Sequence, residues 1–123
     1  MTANVNAAVP EPFVYRLKAL AKVVDGDTLD LDLDLGFSLT LRQRVRLQGI
    51  DAPELRSKDP AEKAKGQESQ AFVSQWFTRS GAVLVRTTKE EKYGRMLADC
   101  YRDGAPSLCS ELLERGLARP YNP

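Results

Sequence analysis

From residue 29 the chain alternates with a period of two. Leu29, Leu31, Leu33 and Leu35 fall on one face and Asp30, Asp32 and Asp34 on the other. That is the period of a half-buried strand. Gly36 interrupts it, and Leu39, Leu41, Val45 and Leu47 then alternate with Thr40, Arg42, Arg44 and Arg46. The two runs read as a hairpin whose acidic outer row faces the basic one across the ladder. The β-branched and aromatic content of Phe13 to Val24 predicts a strand before them, and residues 82–88 and 95–102 predict two more after them. Residues 49–67 read as a charged loop carrying Pro53, Pro60 and Gly66. Within it, Asp59-Pro60-Ala61-Glu62 has the cap, first-position proline and third-position glutamate of a helix start. Gly66 weakens a helix running on from there, so the main helix is predicted at about 67–79, with Ala71, Phe72, Trp76 and Phe77 as its apolar stripe. A shorter helix is predicted from Ser107 to Arg115, with Leu108, Leu112 and Leu113 on one side and Gly116 as its stop.

These elements describe an α+β protein, and the alternating strands suit a five-stranded OB-type β-barrel with two to three flanking helices. At 123 residues the chain is long enough for one core and too short for two. Residues 1–12, small, polar and proline-bearing, read as a flexible N-terminal arm, with a single domain over 13–123. That arm lacks the basic start and apolar stretch of a secretory signal, which leaves two settings open: an intracellular protein, or a mature secreted form without its leader. No apolar run approaches membrane-spanning length, so no membrane partner is expected.

Composition narrows the chemistry. Apolar residues make up 42% and charged residues 28%, an ordinary globular balance. The net charge is +1, so a nucleic-acid partner would require cations concentrated at one site. There is no histidine, which removes Ser-His-Asp hydrolases, histidine–zinc sites and histidine-dependent nucleases. What remains is carboxylates, arginines and an oxygen-loving metal. Cys100 and Cys109 have no CxxC spacing and are expected as two small, semi-buried thiols rather than a disulfide.

Four islands carry candidate chemistry: Val23-Val24-Asp25-Gly26-Asp27-Thr28; Val45-Arg46-Leu47 with Gly49-Ile50-Asp51-Ala52-Pro53-Glu54; Lys92-Tyr93-Gly94-Arg95; and Arg115-Gly116-Leu117-Ala118. Asp25, Asp27, Asp51 and Glu54 are carboxylates in turns, where oxygens can converge on Ca²⁺ or Mg²⁺. Arg46 and Arg95 are planar, permanently charged forks suited to phosphate oxygens. Together these are the parts needed to attack a phosphodiester with water. Each also has a plainer reading. An Asp-Gly turn is common, Asp30, Asp32 and Asp34 read as a solvated strand face, and Arg46 could be one more outward cation beside Arg42 and Arg44.

In combination and order, the islands resemble the staphylococcal nuclease (thermonuclease) family. There a DGDT turn precedes an arginine that stands five residues before the aspartate of a D-[TA]-P-E segment, a KYGR supplies a second arginine, and a GLA segment follows. Arg46, Asp51 and Glu54 keep that spacing, and the resemblance runs over residues 13–121. It implies a Ca²⁺-dependent phosphodiesterase that acts on single-stranded or locally unpaired DNA and RNA as a monomer and leaves 3′-phosphate ends. By resemblance Asp27, Asp51 and the backbone carbonyl of Ala52 would hold the metal, with Asp25 close behind. Glu54 would act on the attacking water, Arg46 and Arg95 on the phosphate, and Lys92 and Tyr93 on a substrate phosphate. Three departures stand out: a longer first hairpin, no counterpart to the family's last helix before Pro123, and Tyr121 alone, in shifted register, for base stacking. The rival readings are an OB-type nucleic-acid or protein-binding scaffold with weak catalysis, and a structural calcium-binding domain. The second of these leaves Arg46 and Arg95 without a use.

Overall fold

A computed structural model describes residues 13–90 and 95–121. The described residues form β1 (Val14–Asp25), β2 (Thr28–Gly36), β3 (Leu39–Leu47), β4 (Ile50–Asp51), α1 (Pro60–Trp76), β5 (Val83–Glu90), β6 (Met96–Arg102), α2 (Leu108–Glu114) and β7 (Arg119–Pro120). Five strands close a barrel in the order β1-β2-β3-β6-β5, the α+β, OB-type architecture expected. The β3–β6 contact is parallel and the other barrel contacts are antiparallel. Three register shifts along β1 let one long strand pair with β2 over most of its length and with β5 at its start. Such bulges bend a strand and raise its twist, which a small closed barrel needs. The first twelve residues, read as an arm, lie outside the described residues.

The hairpin is as read. Asp30 faces Arg44 and Asp32 faces Arg42, each pair joined by two hydrogen bonds of 2.8 to 3.1 Å. Leu29, Leu31 and Leu33 fill the barrel together with Val45, Leu47, Val85, Ala98 and Cys100. The apolar face outruns the core, however: Leu35, Leu39 and Leu41 are exposed because the hairpin extends beyond the barrel wall. At its tip Phe37 and Ser38 have φ of 53° and 63°, the positive pair of a two-residue type I′ turn.

The main helix differs from expectation. It begins at Pro60, capped by the Asp59 side chain accepting from the Ala61 amide, and runs through Gly66 without a break. A Cβ at Gly66 would lie 2.9 Å from the Pro53 carbonyl oxygen and 3.1 Å from the Glu54 carbonyl carbon and oxygen. The glycine is therefore a packing requirement, and tertiary contact overrides its poor helix propensity. The buried stripe is Gly66, Ser69, Val73 and Trp76; Ala71 is exposed, and Phe72 and Phe77 are half-buried. In α2, Leu108 and Leu112 are buried as expected, whereas Leu113 is exposed and Glu111 is buried. Glu111 accepts from the Trp76 indole at 2.8 Å and from Arg79 at 2.9 Å, tying α2 to α1.

The segment read as loop after β3 contains a short strand. β4 pairs with β7, Ile50 opposite Pro120 and Asp51 opposite Arg119. Neither strand is long enough to show a hydrophobic period, so neither was visible in the pattern. Cys100 and Cys109 are free and buried, and burial raises both thiols far above their usual range.

Candidate active site

The Asp25-Gly26-Asp27-Thr28 turn joins β1 to β2 against α1. A Cβ on Gly26 would lie 2.7 Å from that of Ser69 and 3.0 Å from that of Ala52, so only glycine allows this approach. The turn delivers Asp27 to the buried side. Its Oδ1 accepts from the Thr28 hydroxyl at 3.0 Å, and its Oδ2 accepts from the Ala52 amide at 2.9 Å. The same Oδ2 lies 2.6 Å from a terminal nitrogen of Arg46.

Arg46 sits near the end of β3, opposite Thr28. Arg42 and Arg44, on the same strand face, are exposed, but Arg46 is only 7% exposed. The difference comes from position: at this end of β3 the outer face is covered by the Ile50–Ala52 segment. The second terminal nitrogen of Arg46 donates to the Ile50 carbonyl at 3.1 Å and to Asp51 Oδ1 at 3.4 Å. The Tyr121 ring lies 5.4 Å from its guanidinium carbon, within cation–π range. Burial disfavours the Arg46 charge, but the hydrogen bond and field of Asp27, with Asp51 behind it, outweigh that and hold the guanidinium more firmly protonated than usual.

Asp51 is half-buried; its Oδ2 accepts from Arg119 Nε at 3.2 Å and from a terminal Arg119 nitrogen at 3.1 Å. Glu54 is exposed on the loop after Ala52, and its own carbonyl and that of Pro53 lie under Gly66. Asp25 Oδ1 accepts from the Leu55 amide at 3.3 Å and so fastens the loop that carries Glu54. Arg95 immediately precedes β6, two residues before Leu97, the register partner of Arg46. Tyr121 hangs its amide on the Gly49 carbonyl at 3.0 Å.

The structure thus brings Asp27, Arg46, Asp51, Ala52 and Tyr121 into one cluster, with Glu54 on the adjoining loop and Asp25, at the end of β1, hydrogen-bonded to that loop. Lys92 and Tyr93 lie outside the described residues. Thr28 lay in the first island but was given no role there, and Arg119 had no sequence signal, becoming visible only once β4 and β7 are known to pair. A groove of about 370 Å³ runs from Asp51 between the first turns of α1 and the Gly116–Arg119 segment.

Among the described residues no group of three or more His, Cys, Asp or Glu is gathered to hold a metal. The donor set at Asp27 and Asp51 is two carboxylates held on one guanidinium, with the Ile50 backbone carbonyl on the same guanidinium. All-oxygen sets of this kind fit a hard cation that keeps part of its water shell. No helix among the described residues is long and apolar enough to cross a membrane.

An OB-type barrel with a buried aspartate–arginine cluster at the junction of barrel and helix is the frame of a nuclease-like domain. The model of the staphylococcal nuclease homologue family matches residues 44–123, and the chain belongs to that family. It is 31% identical over 105 residues to an uncharacterized protein of Bacillus anthracis, covering 78% of this chain and 47% of that one. It is 27% identical over 122 residues to the succinoglycan biosynthesis protein ExoI of Rhizobium meliloti (strain 1021), covering 96% of this chain and 56% of that one. The chain spans about half the length of these curated relatives.

Proposed function

We propose that this domain is a calcium-dependent nuclease that hydrolyses phosphodiester bonds of DNA and RNA. The observation that carries the reading is the Asp27–Arg46 pair, buried at the barrel wall with half-buried Asp51 beside it, in a domain belonging to a nuclease family. Asp27 and Asp51, with the Ala52 carbonyl, would hold Ca²⁺, which supplies positive charge to a phosphate oxygen when bound. Glu54, exposed on a loop fixed by Asp25 and Gly66, orients or deprotonates the attacking water. Arg46 and Arg95 hold the scissile phosphate and the charge that grows on it in the transition state. The firmly held proton of Arg46 makes it an electrostatic clamp and not a proton donor.

Lys92, Tyr93 and Tyr121 would contact the strand around that phosphate. A groove reaching one exposed phosphate favours single-stranded or locally unpaired substrate, bound by a monomer, with 3′-phosphate products. The test is to incubate the purified chain with single-stranded DNA and with RNA, in Ca²⁺, in Mg²⁺ and in chelator. Cleavage that requires Ca²⁺ and stops on chelation is the expected result. Strand binding without cleavage in any metal would replace the enzyme by a binding scaffold.

A further inference from the structure

Asp51 is held by two arginines, and the phosphate chemistry above uses only one of them. Arg46 reaches Oδ1 from the buried side; Arg119 takes Oδ2 with both Nε and a terminal nitrogen. The two cations differ in freedom. The Arg46 side chain is 9% exposed and tied to Asp27 and the Ile50 carbonyl. The Arg119 side chain is 80% exposed, and Asp51 Oδ2 is the only hydrogen-bond acceptor of its guanidinium among the described residues. Its backbone is nonetheless fixed opposite Asp51 by the β4–β7 pairing, so the guanidinium stays at the site whether or not it is bound.

The charges make this arrangement consequential. Asp27, Arg46, Asp51 and Arg119 sum to zero, and without Arg119 the same cluster carries one net negative charge. An exposed arginine on a carboxylate contributes little to stability, because water and salt screen it. It does occupy the oxygen that an incoming cation would need.

We propose that Arg119 is an exchangeable counter-ion of Asp51, competing with a divalent cation for Oδ2 and thereby setting the affinity of the site. This rests on the reading of Asp51 as a cation ligand. Arg119 is a positioning residue, and its position beside the groove from Asp51 lets the displaced guanidinium turn toward a strand phosphate lying there.

The sign of the effect separates a counter-ion from a structural strap. Removing a strap disorders Asp51 and weakens cation binding; removing a competitor strengthens it. The experiment is calorimetric titration of Ca²⁺ alone into the full chain and into Arg119→Gln, Arg119→Lys and Asp51→Asn, with a thermal melt of each. Arg119→Gln is expected to bind Ca²⁺ about three- to tenfold more tightly, the scale of one screened charge pair and one unit of site charge. Arg119→Lys, which keeps the charge, should return toward the parent affinity. Equal or weaker binding by a folded Arg119→Gln overturns the proposal, and if that variant melts early, binding by a folded Arg119→Lys tighter than the parent's does the same. An Asp51→Asn chain that binds Ca²⁺ like the parent, or no binding by any of the four, overturns the ligand reading and the proposal together. A parent that binds without cleaving leaves the proposal standing and removes only the activity.

Discussion

Asp27 Oδ2 and a terminal nitrogen of Arg46 lie 2.6 Å apart, with less than a tenth of either side chain exposed. Neither group is left with a bare charge, because Thr28 and Ala52 satisfy the carboxylate and the Ile50 carbonyl and Asp51 satisfy the guanidinium. Such a pair is costly to break from one side, since the survivor is a buried, uncompensated ion. Arg46→Ala is therefore expected to lower stability by about 3 kcal/mol. In the same variant cleavage should fall by about 10²–10³-fold where the protein remains folded. Chemical denaturation and turnover on one preparation separate the two losses.

Glu54 is expected to behave differently from Arg46, because it is exposed and lies outside the buried pair. Glu54 is exposed, so Glu54→Gln should leave the midpoint of thermal unfolding within about 2 °C, the scale of a neutral surface change. It should cut turnover sharply while leaving Ca²⁺ affinity nearly intact. Parallel loss of both would recast Glu54 as a direct ligand. Arg95→Ala should lower turnover by about 10²–10³-fold, and full activity in that variant would remove Arg95 from the mechanism.

Gly66 tests whether the helix packing positions the catalytic loop. On an exposed helix, Gly→Ala would stabilise by about 1 kcal/mol. Here the new Cβ would stand 2.9 Å from the Pro53 carbonyl oxygen, which is backbone and has no rotamer to escape into. Overpacking of this kind costs about 1–3 kcal/mol, so the net effect of Gly66→Ala is a loss of stability and not a gain. Because the displaced backbone carries Glu54, turnover should drop further than stability alone explains. A stabilised and fully active variant would show that the loop is not held by α1.

How much of this was legible follows the length of each pattern. The Leu29–Leu35 alternation spans enough residues to define a face, and the structure has that strand, its partner and their Asp–Arg ladder as read. The limit of the pattern shows at Leu35, Leu39 and Leu41, where the period continues after the core has ended. A period records which way a side chain points, and the reach of the barrel decides whether anything is there to bury it. Gly66 misled for the opposite reason: local propensity argued for a break, and a contact with residues 53–54 decided otherwise. The burial of Arg46 had no local signature, since Arg42 and Arg44 precede it in the same alternation. Arg119 was invisible because two-residue strands carry no period, and its partner lies 68 positions away.

Glu111 gives a prediction about pH. It is buried among cations and a donor: Trp76 Nε1 at 2.8 Å, Arg79 at 2.9 Å and Arg115 at 3.7 Å. Burial alone would raise its carboxyl, but the hydrogen bonds from Arg79 and Trp76 and the charges of Arg79 and Arg115 outweigh that and lower it below its ordinary value of 4.5. A carboxyl depressed on folding binds fewer protons in the native than in the unfolded state near that value. Its contribution is therefore complete at pH above about 4.5 and is lost as pH falls through the lower, folded value. Glu111→Gln keeps an oxygen for the indole but discards the charge facing Arg79. It is expected to cost about 1.5 kcal/mol at pH 7, as for a hydrogen bond to a charged group. The gap between parent and variant should close as the pH drops below 4. Trp76 is the only tryptophan, so its fluorescence reports the contact directly during denaturation at each pH. A gap that stayed constant from pH 7 to pH 3 would mean that Glu111 supports the fold through packing and not through its charge.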